Sequence, residues 1–209
     1  MGNSLQINSD TLPLRWTTPD TWAAAPLANL RALLSDHAYL ERKAASNALE
    51  LLNRWPSPFH PETWTTTLAS IARDEANHLA AVIRQLRKRG WDLERLHRSL
   101  YAGELRMLVR MGKGTGEILD RLLTSAVIEA RSCERFGILA RQCPDPELAE
   151  FYKGLYISEL GHYTVFTELA SQILPEDDVQ QRWSEVLDAE ARIISHQAVG
   201  PGIHSGIRD

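Results

Sequence analysis

Apolar and polar positions repeat at threes and fours along most of the chain, and no segment shows convincing strand-like alternation. Leu30, Leu33, Leu34, Leu40, Ala44, Ala48, Leu51 and Leu52 predict a helix from about Leu27 to Arg54, stopped by Pro56 and Pro58. A second helix opens near Pro61 and closes at Gly90, after Arg87, Lys88 and Arg89, whose charges suit the negative end of the helix dipole. A shorter helix, roughly Leu93 to Met111, ends in Gly112-Lys113-Gly114. The third long helix is expected from about Gly116 to Arg141, with Thr115 as N-cap and Cys143-Pro144 as its stop. Asp145-Pro146 then offers an N-cap and first-turn proline for a fourth, reaching about Ile173, and Pro175 opens a fifth that fades near Ser195. Residues 1–20, polar and rich in Thr and Pro, and residues 197–209, with Gly200-Pro201-Gly202 and Gly206, read as flexible tails of a single domain covering 1–209.

Composition narrows the class without naming a function. With 209 residues, 44% hydrophobic and 24% charged, the chain is long enough for one sizeable core. No apolar run approaches the ~18–20 residues of a membrane span. The stretch Met1–Asp20 lacks the basic and apolar regions of a signal peptide, so a cytoplasmic location is expected. Cys133 and Cys143, ten residues apart on one helix, cannot pair there and suggest a reducing compartment. The net charge of -4 argues against a uniformly basic surface. It is unevenly spread, however: from Arg84 to Arg121 ten Lys and Arg residues face five Asp and Glu. Such a segment is either a solvated helix face or a local surface for anions or nucleic acid.

The chemistry lies in a spacing. Glu-x-x-His occurs at Glu75 and His78 on the second helix and again at Glu159 and His162 on the fourth. Residues three apart project to one side of a helix, so each pair presents two ligands together. The preceding helix of each hairpin offers one more carboxylate, Glu41 and Glu129, each among small or apolar neighbours. A carboxylate in a bundle core must be protonated, paired or metal-bound. Four carboxylates and two imidazoles on four helices match the di-iron and di-manganese pattern of ferritin-like bundles. The expected fold is therefore all-α: a ferritin-like four-helix bundle with a crossover helix and an additional C-terminal helix. A structural polar network is the competing reading of the same six residues. Among the neighbours, His37 reads as a cap or as a support for Glu41, and Glu134 as an ion-pair partner of Arg131 or Arg135. Tyr156 and Tyr163 read as core, and Cys133 as a residue near the site with no catalytic role.

The segment Ile128-Glu129-Ala130-Arg131-Ser132-Cys133-Glu134-Arg135-Phe136 resembles the third-helix signature of the MiaE family, the tRNA-(2-methylthio-N6-isopentenyladenosine)-hydroxylases. Asp36-His37 through Glu41, Lys43-Ala44-Ala45, Ser158-Glu159 with His162-Tyr163, and His204-Ser205-Gly206 extend the likeness over most of the chain. The connection near Trp55 to Pro61 looks shorter than in some members. The resemblance implies hydroxylation of the isopentenyl group at tRNA position 37, beside the anticodon. Dioxygen would be the co-substrate, and an external electron-donor system would supply electrons. It also implies Glu41, Glu75, His78, Glu129, Glu159 and His162 as ligands of two iron ions. On that reading Arg95, Arg98, Arg106 and Arg110 are expected to contact the anticodon stem-loop, with Trp91 and Tyr101 stacking on bases or packing internally. A ferritin-like oxidase or peroxidase acting on a small molecule would use the same six ligands without the basic segment. A non-enzymatic helical module would turn them into salt bridges.

Overall fold

Asn29 starts the first long helix by accepting a hydrogen bond from the Ala32 N–H through its side chain (3.2 Å), which satisfies one of the open N-terminal donors. The computed structural model describes residues 12–56, 62–95, 97 and 99–207, and its regular elements are all helices. A 3-10 turn, Asp20–Ala23, leads into α1 (Ala24–Leu27) and α2 (Leu30–Leu52). There follow α3 (Glu62–Lys88), α4 (Leu100–Arg106), α5 (Thr115–Gln142), α6 (Pro146–Ala170) and α7 (Glu176–Ser195). The hairpins α2–α3 and α5–α6 form the bundle, the crossover carries α4, and α7 packs on α4 and α5.

Local chemistry explains most boundaries. Gly90 (φ 72°) ends α3 in a left-handed residue, with Gly90 N–H bonded to Arg87 O and Trp91 N–H to Leu86 O, both at 3.0 Å. That turn lays Trp91 against the core, so its ring is a packing group. Asp145 caps α6 by accepting from the N–H groups of Glu147 and Leu148, with Pro146 in the first turn. At α5 the expected Thr115 cap is replaced by Gly114 (φ 58°), and Thr115 is already helical. The crossover helix is also much shorter than expected: only Leu100–Arg106 is helical, and Trp91 to Glu94 run as irregular chain. Pro61 and Arg98 lie outside the described residues.

Neither expected tail is free where it is described. Thr18 is buried and donates its N–H and hydroxyl to Glu134, at 2.9 and 2.5 Å. At the other end Ile203 and His204 are buried, Ile203 N–H bonds Asp36 Oδ2 (2.8 Å), and Trp22 Nε1 donates to Ser205 Oγ (3.1 Å). Gly206 closes this segment on itself, its N–H bonded to Ala198 O (2.8 Å). A Cβ on Gly206 would sit 1.7 Å from Gln197 O, so only glycine fits. Glycine and proline made the segment look like a loop. Its anchors lie 167 and 183 residues away in sequence, beyond the reach of any local pattern.

Helix α5 is the central element, with 20 of its 28 residues buried. It therefore carries its charges inside, and they must be paired. Arg131 donates to Glu190 through Nε (2.7 Å) and Nη2 (2.8 Å), and to Glu134 through Nη1 (2.5 Å). Tyr101 OH joins at Glu190 (2.9 Å), which fixes its ring inside the protein. Arg135 instead stacks on Trp22, 4.1 Å from the ring centre, and burial beside Arg131 lowers its pKa to about 9.

Two apolar clusters fill the bundle, and the helices pass between them. On α2, Leu33, Leu34 and Ala38 belong to one cluster and Ala48 and Leu51 to the other. On α5, Val127 ends one cluster and Ala130 begins the other. Glu41 and Glu129 fall at these transitions. Glu75 and His78 on α3, and Glu159 and His162 on α6, do the same. The six residues thus form a polar layer sandwiched between two hydrophobic cores.

Candidate metal centre

The antiparallel register of α2 against α5 carries the first two carboxylates toward each other. It is held by Asn47–Ser125, Glu50–Arg121 and Arg54–Glu117 contacts along the same seam. All six sequence-predicted residues converge. They form two overlapping groups, Glu41, Glu75, His78 and Glu159, and Glu75, Glu129, Glu159 and His162. Within each group one donor atom from every residue lies within 4.8 Å of the others. Glu75 and Glu159 belong to both, so the layer is built as two adjacent donor sets sharing two carboxylates.

His78 Nδ1 lies 3.1 Å from Glu159 Oε1, 3.5 Å from Glu75 Oε2 and 3.6 Å from Glu41 Oε2. His162 Nδ1 lies 2.7 Å from Glu75 Oε1 and 3.2 Å from Glu159 Oε2. Yet both Glu75 oxygens, Glu159 Oε1 and His78 Nδ1 make no properly directed hydrogen bond. The donor atoms of each group crowd within 4.8 Å of one another without the alignment that a hydrogen bond needs. Buried polar atoms without partners cost free energy unless something else satisfies them. Oxygen and imidazole donors arranged this way fit a pair of divalent first-row metal ions.

Electrostatics agree with the geometry. Burial pushes the carboxyls of Glu41 and Glu129 well above their ordinary range, and neighbouring carboxylates reinforce this. Burial also resists charge on the histidines, but the close approach of Glu159, Glu41 and Glu75 raises His78 to about 12. Contacts with Glu159 and Glu75 likewise raise His162 to about 10. Glu159 and Glu75 are held below the usual carboxylate range: the histidine contacts outweigh burial. Within the layer, charge is therefore favoured on Glu75, Glu159 and the two histidines and disfavoured on Glu41 and Glu129. His37 is buried, kept neutral with a pKa near about 3 by burial, and sits with Nε2 2.6 Å from Glu41 Oε1. It supports that carboxylate from behind. Glu134 pairs with Arg131 as expected, Tyr156 packs in the core, and the Cys133 thiol donates to Tyr156 O (3.3 Å). Both cysteines are free.

A cavity of about 450 Å³ leads from the ligands outward between α2 and α5, roofed by α4. Glu41, Glu75, Glu129 and Glu159 line its inner end; Arg42, Lys43 and Arg106 also line it. Among the described residues these three cations make no ion pair, whereas Arg121, also in the wall, is bound by Glu117 and Glu50. Of the three described arginines expected to meet nucleic acid, Arg95, Arg106 and Arg110, only Arg106 lines this cavity. Arg95 is exposed away from it, and Arg110 is committed to Asp120 through Nε and Nη2, both at 2.8 Å. Arg42 and Lys43 were missed because they follow Glu41 directly. Only the overlying crossover shows that they share a cavity with it. No helix among the described residues is long and apolar enough to cross a membrane.

Comparison with known proteins agrees. A Pseudomonas putida protein named tRNA 2-(methylsulfanyl)-N(6)-isopentenyladenosine(37) hydroxylase is 38% identical over 190 residues, 91% of this chain and 90% of that one. Its namesake in Salmonella typhimurium is 29% identical, covering 93% and 88%. A solved structure, Protein 43 with aldehyde deformylating oxygenase activity from Synechococcus, superposes with a TM-score of 0.85 at 32% identity, over 94% of this chain and 97% of its own. The family model described as tRNA-(MS2IO6A)-hydroxylase (MiaE) matches residues 6–205, and the chain belongs to that family.

Proposed function

We propose that the protein is a dioxygen-dependent di-iron hydroxylase acting on the isopentenyl group of (2-methylthio-)N6-isopentenyladenosine at tRNA position 37. The observation that carries this reading is the buried six-residue layer opening into a cavity that three unpaired cations also line. Glu41 and His78 would hold one iron and Glu129 and His162 the other, with Glu75 and Glu159 shared between them. When bound, the pair would supply dioxygen activation: one oxygen atom enters a C–H bond and the other leaves as water, with two electrons from an outside donor and two protons from solvent.

The chain's own residues do the rest. His37 orients Glu41, while Leu40, Ala44, Ile128 and Phe136 give the cavity an apolar wall suited to a prenyl tail. Arg42, Lys43 and Arg106 bind phosphates of an unstacked loop. Leu100 at the start of α4 and Met107 just past its end, 66% and 85% exposed, offer apolar surface for bases beside them. The aldehyde chemistry named for the Synechococcus protein is the competing reading, favoured by its structural likeness. A neutral aldehyde gives the unpaired cations no role.

Iron-loaded protein, prenylated tRNA and a reductant in air are expected to yield a nucleoside one oxygen heavier, and Glu129→Ala to yield none. Turnover of a small aldehyde without any product on RNA would overturn the proposal.

A further inference from the structure

The cavity wall contains polar groups that neither metal binding nor phosphate contact uses. Asn47 Nδ2 donates to Ser125 Oγ (2.8 Å), and Ser125 Oγ donates its single proton to Arg121 O (2.8 Å). Because the hydroxyl proton is spent on that carbonyl, Ser125 must accept from Asn47, which fixes which way the amide is turned. Asn47 Oδ1 and its second N–H are left without a protein partner among the described residues. Across the same cavity Thr124 Oγ1 is buried and unpartnered.

These groups stand at a defined distance from the ligands. Asn47 lies six residues beyond Glu41 on α2 and Thr124 five before Glu129 on α5, roughly 7–9 Å of helix rise in each case. The stretch between is walled by Ala44 and Ile128. An apolar span closed by metal ligands at one end and an oriented amide at the other has the layout of a five-carbon tail joined to a planar base. At about 450 Å³ the cavity also has the size of sites that enclose a whole small molecule.

We propose that Asn47 and Thr124 determine specificity by gripping the edge of the prenylated adenine, so that the entire base enters the protein and its tail reaches the ligands. An adenine with one alkyl group on N6 keeps one N6–H beside the acceptor N7. Asn47 Oδ1 accepts from that N–H, and its second N–H donates to N7, the two-point pairing by which asparagine reads adenine. The Thr124 hydroxyl, which has no protein acceptor, donates to a further ring nitrogen. The inference rests on the hydroxylase reading and adds how the substrate is recognised.

The test compares kcat/KM of the iron-loaded protein on an anticodon stem-loop carrying the prenylated adenosine and on its 7-deaza counterpart, which lacks the N7 acceptor. Wild type is expected to lose about 10- to 100-fold on the 7-deaza substrate. Asn47→Ala loses a similar factor on the natural substrate and is then indifferent to 7-deaza, since the partner is already gone, whereas the isosteric Asn47→Asp sets an acceptor against N7 and favours the 7-deaza substrate. Thr124→Val falls on both substrates and keeps its sensitivity to 7-deaza. A 7-deaza effect of equal size in wild type and both Asn47 variants, or none in wild type, overturns the proposal. Inactivity of wild type on the natural stem-loop overturns instead the hydroxylase reading on which it rests.

Discussion

Glu75 and Glu159 show how much one residue's position decides. Each is buried, shared by two donor groups and approached by His78 without a well-formed hydrogen bond. The raised values at His78 (about 12) and His162 (about 10), with Glu41 and Glu129 also raised, mean that the metal-free site holds protons the metals must displace. Raising the pH removes that competitor, so affinity for divalent ions should climb by more than about tenfold per unit between about pH 6 and 8. Calorimetry in buffers of different ionisation enthalpy should show net proton release on loading. A pH-independent affinity would contradict the site as drawn. Glu75, His78, Glu159 and His162 were legible in the sequence because Glu-x-x-His is a local spacing that a helix converts directly into geometry, and Glu41 and Glu129 because each is a carboxylate among small or apolar neighbours. Asn47, Thr124 and Arg42 were not, since what they share is a cavity formed by three helices distant in the chain.

At the scale of elements, the four long helices follow their hydrophobic period, and their ends follow Asn29, Gly90 and Asp145. The crossover defeated the same reasoning. Its apolar positions suggested a helix from Leu93 to Met111, but packing retains only Leu100–Arg106, where Tyr101 and Leu105 turn inward. Tyr39 OH bonds Glu94 O (2.7 Å), and His97 Nε2 lies 2.7 Å from Asp36 Oδ1, so tertiary contacts fix the irregular part. The C-terminal segment is held in the same way, through Asp36, Trp22 and Gly206. Gly206→Ala, which places a Cβ against Gln197 O, should lower stability by roughly 1–3 kcal/mol in denaturant unfolding. Because His204 lines the cavity, its displacement should also slow turnover. An unchanged midpoint would mean that the segment is not clamped as described.

Over the whole molecule, a chain of net charge -4 places three unpaired cations in the wall of one cavity and pairs most neighbouring ones elsewhere. That distribution, invisible in total charge, gathers positive charge at the cavity that the six residues share. Replacing Arg42, Lys43 and Arg106 together by Gln should weaken binding of the prenylated stem-loop by more than about tenfold and flatten its salt dependence by about two units of slope, near 0.7 per single-strand phosphate contact. Metal content should stay at the wild-type level. Retained affinity with an unchanged slope would move the RNA surface elsewhere. The ferritin-like scaffold thus supplies the layer of carboxylates and imidazoles, and α4 beside the α2–α5 seam adds a half-open cavity lined by Arg42, Lys43 and Arg106.

The most direct measurement is mass spectrometry of nucleosides from prenylated tRNA treated with the iron-loaded protein and a reductant under 18O-labelled dioxygen. The account predicts one labelled oxygen on the prenylated adenosine with wild type and none with Glu75→Ala or Glu129→Ala. Incorporation of unlabelled oxygen from water, or labelled product at the wild-type rate with those variants, would contradict it.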